Sequence, residues 1–198
     1  MDKKWTVGIL LFDEVEVLDF AGPFEVFSIT TISNSDEKPF IIKTISESGN
    51  IVKARGGLKV KPDHSFNNAP DLDILIIPGG YGAREAEISN EVVINWINEQ
   101  GNKVQLLASV CTGAFLLAKA GLLNNKNATT HWMAIDRLEK EFPQLNVKRN
   151  IKFVDEGSII TAGGVSAGIN MSFHIIKRLL GSEVAQTTAK RMEYDIVI

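Results

Sequence analysis

Several features are scarce in this chain, and each scarcity narrows what it does. Its 198 residues include a single cysteine, so no internal disulfide forms and a reducing, cytoplasmic setting is expected. Lysines and arginines number 21 against 24 aspartates and glutamates, for a net charge of −3 and no basic cluster. Nucleic acid and anionic membrane are therefore not expected partners. No apolar run approaches the ~20 residues of a membrane span. The opening MDKKWTVGILLF has a charged start, but its apolar run is too short for a secretory signal and acidic residues follow at once. Low-complexity segments and fixed-period repeats are also missing. No cofactor and no metal are expected. The length suits one domain, residues 1–198, with one substantial core.

The densest signal runs from Val104 to Leu117, VQLLASVCTGAFLL. Val104, Leu106, Leu107 and Ala108 have the length and bounded character of a buried strand, and Leu116, Leu117 and Ala120 continue at helical spacing. Between them stands Cys111. Ser109-Val110-Cys111-Thr112-Gly113 follows the strand–turn–helix pattern of a nucleophile elbow, with a thiol in place of the serine. Small residues at Ser109 and Gly113 suit a tight, crowded turn. Most lone cysteines are small buried hydrophobes; this position, between a strand and a helix, favours a nucleophile at the carboxyl edge of the sheet. The N-terminal end of the next helix is expected to favour thiolate.

Along the chain, residues 5–12 read as a central first strand. Residues 13–23 lead into an amphipathic helix through Phe24, Val26, Phe27 and Ile29, with Pro23 in its first turn and Asp19 just ahead. Asp19 is either a helix-entry carboxylate or a carboxyl group delivered to the sheet edge where Cys111 emerges; spacing leaves both open. Glu14 and Glu16 read as solvated. Residues 40–45 form a second strand, and 51–60, around Gly56-Gly57, a hairpin excursion. His64 reads as a surface residue in a polar connection.

Residues 73–77 are a third buried strand that ends in Pro78-Gly79-Gly80-Tyr81-Gly82. Consecutive glycines there permit positive φ and inward N–H groups, so Gly79 and Gly80 are candidate oxyanion donors opposite Cys111. Arg84 reads as solvated. Residues 91–100 form a helix with Val92, Val93, Trp96 and Ile97 inward and Gly101 as its stop. Gly121 marks the end of the elbow helix, and 124–127 is a turn. Thr129 and Thr130 are N-cap candidates for a helix through Ile135, Leu138 and Phe142 that stops at Pro143. His131 then occupies its first turn or faces the pocket. Residues 147–153 and 158–161 are further short strands. Residues 162–168 open a long closing helix through Met171, Phe173, Ile175 and Ile176, on which His174 reads as packed or solvated. The alternation predicts a mostly parallel, doubly wound α/β sandwich.

In that order, ILLFDEVEVLDFAGPFEVF, ILIIPGGYG, ASVCTGAFLLAKAGLL, ATTHW and TAGGVSAGIN resemble the ThiJ/PfpI superfamily over nearly the whole chain. The resemblance implies a flavodoxin-like three-layer fold, related to class I glutamine amidotransferases, and a homodimer packed through the early helix around Phe24–Ile29. LDFAGP followed by SVCTG and TTHW is most similar to the isonitrile hydratase branch. The same signature occurs in the ligand-binding half of some AraC-type regulators, although no helix-turn-helix segment follows here. By this resemblance Cys111 is the nucleophile and Asp19 the essential carboxylate. Thr112 and Gly80 supply backbone N–H groups, and Gly79, His131 and Gly164 complete the substrate-binding residues. Three departures stand out. Thr112 replaces the histidine of the proteases, Asn170 stands where an acid is frequent, and Asp19 replaces the glutamate of the glyoxalase-like branch.

These residues suit addition of water to an isonitrile, giving an N-substituted formamide. Cys111 attacks the terminal carbon to form a thioimidate, and Asp19 acts as acid and then as base. Two other readings use the same site. One is a glyoxalase- or deglycase-like enzyme on 2-oxoaldehydes, with His131 or Asp19 as base; the other is a non-enzymatic sensor or ligand-binding domain built on Cys111.

Overall fold

Three runs of apolar residues build the centre of the molecule, in a computed structural model that describes residues 3–32 and 35–196. They are β1 (Trp5–Leu10), β6 (Ile74–Ile77) and β7 (Leu106–Val110); β6 and β7 are buried along their whole length. Such runs lack polar alternation because helices cover both faces of a parallel sheet. The other strands are β2 (Phe40–Ser46), β3 (Val52–Lys53), β4 (Lys59–Val60), β5 (His64–Ser65), β8 (Asn127–Ala128), β9 (Asn146–Val147), β10 (Phe153–Asp155) and β11 (Ile159–Ala162). The main sheet runs β10-β11-β7-β6-β1-β2-β5, parallel throughout except where β10 pairs antiparallel with β11. Strand order reverses between β1 and β6, so the crevice at their carboxyl ends is the ligand site expected of such a sheet.

The helices are α1 (Val17–Ile29), α2 (Tyr81–Glu85), α3 (Glu91–Gly101), α4 (Gly113–Lys119), α5 (Ile135–Glu141), α6 (Ala167–Leu180) and α7 (Ser182–Arg191). α1, α6 and α7 pack together on one face, and α2, α3 and α4 on the other. Phe27 and Phe115, both fully buried, fill the two helix–sheet interfaces. On the outer edge, Asp155 of β10 binds His174 (2.7 Å) and Arg178 (2.9 Å), which fastens the last strand to α6. Among the described residues no helix is long and apolar enough to cross a membrane.

The sandwich and its parallel core agree with the sequence reading, while several local expectations need correction. Asp19 lies within the first turn of α1, and Pro23 is inside that helix instead of at its start. The missing proline N–H deprives only the Asp19 carbonyl of a helical partner. His64 belongs to the edge strand β5, paired with Ile45. Val92 faces solvent, so the inward face of α3 is Val93, Trp96 and Ile97. Gly101 ends α3 for packing and not for a left-handed turn, because a Cβ there would press on Leu122. Residues 147–153 do not form one strand: β9 pairs with β8, and β10 joins the main sheet. α7 follows α6 after Gly181 (φ +91°), an element the apolar periodicity did not mark.

The junction of β7 and α4 depends on Gly113. A Cβ at this position would run into the carbonyl oxygens of Ile77 and Pro78 at the end of β6. Those atoms belong to the backbone of the central sheet and have little room to yield. Gly113→Ala is therefore expected to destabilise the fold by roughly 1–3 kcal/mol, the usual cost of overpacking. Urea denaturation reads this directly, and an unchanged midpoint would contradict the crowding argument.

Candidate active site

Cys111 occupies the turn between β7 and α4 with φ +55°, a left-handed conformation rarely adopted outside glycine. Hydrogen bonds from two directions hold it there. Its N–H donates to the carbonyls of Ala162 (3.0 Å) and Gly163 (3.2 Å), at the end of β11. Its own carbonyl accepts from the Thr130 hydroxyl at 2.7 Å. The expected elbow is thus present, braced by the strand beside it and by the loop after β8. Only 7% of the residue is exposed.

Asp19 is 0% exposed, although it sits in the first turn of a surface helix. The Gly79 N–H donates to Oδ2 at 3.0 Å, whereas Oδ1 is buried with no well-formed hydrogen bond. Gly79 also abuts the Thr112 nitrogen, so the carboxyl lies against the turn that carries Cys111. Burial raises the Asp19 pKa from 3.8 to about 7; the Gly79 N–H opposes the rise and the charge of Glu16 adds to it. Of the two roles left open for Asp19, delivery to the site is the one realised.

Thiolate is not favoured in this site, contrary to expectation. Burial pushes the thiol up to about 12, and the charge of Asp19 pushes the same way against the Thr112 N–H. The pair is therefore a thiol beside a carboxyl group that titrates near neutrality.

The glycine loop also departs from expectation. Gly79 N–H is occupied by Asp19, and Gly80 N–H donates to the Thr112 hydroxyl at 2.9 Å. That hydroxyl in turn donates to the Gly80 carbonyl at 3.2 Å. Neither glycine is left as an oxyanion donor; both hold the residues that flank the sulfur. Gly80 takes φ +132° and bridges Val15, while a Cβ on Gly79 would lie 2.5 Å from the Thr112 nitrogen.

His131 caps the short turn 132–134, with Nδ1 accepting from Met133 N–H at 3.3 Å. Its ring packs on Gly164, where a Cβ would also lie 2.9 Å from the Cys111 sulfur. His131 is thus brought to the site through Gly164 and makes no hydrogen bond to Cys111 or Asp19. Burial and then Arg84 lower its pKa below 6.5, which keeps the ring neutral at pH 7. Thr129 and Thr130 are not helix caps: both are buried, and their hydroxyls bind the carbonyls of Lys148 and Cys111. Asn170 accepts from Lys152 Nζ at 3.3 Å. Glu14 is not simply solvated, since it pairs with Arg55 at 2.8 Å. Among the described residues no three His, Cys, Asp or Glu side chains converge as a metal cage.

A strained cysteine elbow, a sealed carboxyl and a glycine loop on a flavodoxin-like sheet define a class of cysteine-centred α/β proteins. The chain belongs to the DJ-1/PfpI family, whose model matches residues 5–178. It is 33% identical over 189 residues to isonitrile hydratase from Pseudomonas putida, covering 95% of this chain and 78% of that protein. It is 27% identical over 190 residues to the HTH-type transcriptional regulator GbdR of Pseudomonas aeruginosa, covering 96% of this chain. The chain spans about half the length of that regulator, 51%. The crystal structure of a ThiJ/PfpI family protein from Pseudomonas syringae superposes with a TM-score of 0.87 at 26% identity, over 98% of this chain and 77% of that one.

The buried carboxyl has a consequence for stability. Below about pH 4 Asp19 is protonated both folded and unfolded and contributes no difference. Between 3.8 and about 7 the unfolded chain releases a proton that the fold retains, so stability falls as pH rises. Above that window the ionised, buried group costs up to ~4 kcal/mol at 1.36 kcal/mol per pH unit. Asp19→Asn is expected to gain stability over the parent progressively from pH 4 to pH 8. Thermal melts across that range measure it, and parallel curves for the two proteins would refute the assignment.

Proposed function

We propose that the protein is a cysteine-dependent hydratase that adds water to an isonitrile, R–N≡C, to give the formamide R–NH–CHO. The observation that carries this reading is a fully buried Asp19 carboxyl held by Gly79, the residue that also abuts the Thr112 nitrogen next to Cys111. Similarity to isonitrile hydratase over 95% of the chain supports it. Asp19, in its ionised form, takes the thiol proton as sulfur attacks the terminal carbon, then returns that proton to the same carbon. The product of this half-reaction is the thioimidate R–N=CH–S–Cys111. Asp19 is then ionised once more; it accepts a proton from water as the water oxygen adds to the carbon, and passes that same proton to the nitrogen, which becomes N–H. The resulting R–NH–CH(OH)–S–Cys111 collapses with cleavage of the C–S bond, and the hydroxyl proton passes to the sulfur. A carboxyl titrating near 7 suits a group that alternates between acid and base at neutral pH.

We assign the Thr112 N–H, which follows Cys111 at the N-terminus of α4, to orienting the attacking atoms. We place the protein in the cytoplasm as a homodimer that binds a small molecule and neither nucleic acid nor membrane. Phe24, an exposed apolar residue on α1, lies in the segment Phe24–Ile29 that we assign to the dimer. Phe24→Glu is expected to convert a dimer to a monomer in light scattering at micromolar concentration. A monomeric parent protein would overturn this assembly.

Activity tests the chemistry. With phenyl isocyanide, Asp19→Asn is expected to lose ~10²–10⁴-fold in rate, the usual effect of removing a general acid–base group, while circular dichroism stays unchanged. Cys111→Ser is expected to be inactive. His131→Ala should lose less than about tenfold, since the ring has no hydrogen bond to the pair. Unimpaired hydration by Asp19→Asn would end this mechanism. Activity on methylglyoxal that requires His131 and not Asp19 would instead favour the glyoxalase-like reading. Binding without turnover of either compound would favour a ligand sensor, the role suggested by similarity to regulators.

A further inference from the structure

Asp19 and Cys111 are enclosed, so a substrate whose terminal carbon meets the sulfur must keep the rest of its body outside. Gly164 borders the sulfur. A Cβ on it would crowd both the sulfur and the His131 ring. The same residue lines a groove of ≈ 480 Å³, together with Thr130, Trp132, Ile135, Ile151 and Lys152. Thr130, whose hydroxyl grips the Cys111 backbone carbonyl, is a second lining residue that touches the elbow.

Its walls carry two kinds of chemistry. Trp132 is 76% exposed and Ile151 is exposed beside it, an apolar surface left open to water next to a nucleophile. The indole's aromatic neighbour is the His131 ring, with centroids 5.8 Å apart and tilted, which leaves a face for a flat ligand. The second feature is charge. Arg149, also at the groove, is already held by Asp136 (2.8 Å) and by Glu139. Lys152 meets only the neutral Asn170 Oδ1 at 3.3 Å and pairs with no carboxylate among the described residues. The groove thus offers a flat apolar wall and one unneutralised cation.

We propose that this groove receives the nitrogen substituent of the substrate and selects an aryl group that bears an acidic function, with the ring on Trp132 and the anion at Lys152. The isonitrile at the reacting end rests on the function proposed above. The groove's preference for an acidic aryl body does not depend on it, and the two fail separately.

Two measurements keep them apart. The first is kcat/KM for 4-isocyanobenzoate against the cationic 4-isocyano-N,N,N-trimethylanilinium. The parent protein is expected to favour the carboxylate about three- to fivefold, the scale of one exposed charge pair. Lys152→Glu should reverse that preference, and Trp132→Ala should weaken both substrates several-fold. The second is calorimetric binding of 4-formamidobenzoate, the stable product of the first substrate, which needs no turnover. It is expected to bind the parent more tightly than formanilide does, and to lose that advantage in Lys152→Glu. Binding that depends on Lys152 without isonitrile turnover upholds the groove and sinks the hydratase. Turnover with no charge preference, together with binding indifferent to both substitutions, overturns the groove and leaves the hydratase standing. If neither compound binds, the groove assignment is wrong whatever the activity.

Discussion

One hydrogen bond organises this site: the Gly79 N–H to Asp19 Oδ2. A carboxyl group removed from water needs partners, and this one has a single good bond for two oxygens. The fold meets the shortfall by letting the group hold a proton. That choice propagates outward. Gly79 must lack a side chain, because Thr112 lies directly against it. Thr112 must face the loop, because Gly80 N–H is satisfied by its hydroxyl. The cysteine between β7 and α4 is left beside a neutral or singly charged neighbour whose protonation follows the ambient pH.

The main layers were legible in the sequence because burial leaves a strong periodic mark. Runs such as ILII and LLASV have few alternatives to a strand covered on both faces, and the single cysteine between one of them and a helical repeat marked the elbow. What stayed hidden depends on partners distant in sequence. Thr130 looked like a cap because it precedes a helix, yet its hydroxyl goes to Cys111, nineteen positions earlier. Gly79 and Gly80 advertised inward N–H groups correctly, but composition does not reveal that Asp19 and Thr112 already claim them. The thiol's raised pKa was unreadable for the same reason: a helix start is a local feature, whereas burial beside a carboxyl is not. α7 escaped notice because its sequence, SEVAQTTAKR, has few large apolar residues and buries small ones, such as Ala185 and Ala189, instead.

The occupied glycine loop also bears on which chemistry the elbow supports. Acyl transfer develops negative charge on oxygen early and depends on free donors placed for it. Here the Gly79 and Gly80 N–H groups are spent on holding side chains, so a peptide-type intermediate would find little support from the glycine loop. Addition to an isonitrile makes different demands. Its first intermediate needs a proton on carbon and carries no oxygen at all; oxygen enters only with water, when the ionised carboxyl is free to act as base. A site rich in proton exchange and poor in oxyanion donors is matched to that sequence of events. The departure from the protease pattern at Thr112 then has a physical meaning: the side chain that would have worked on substrate is locking the loop that keeps Asp19 in place.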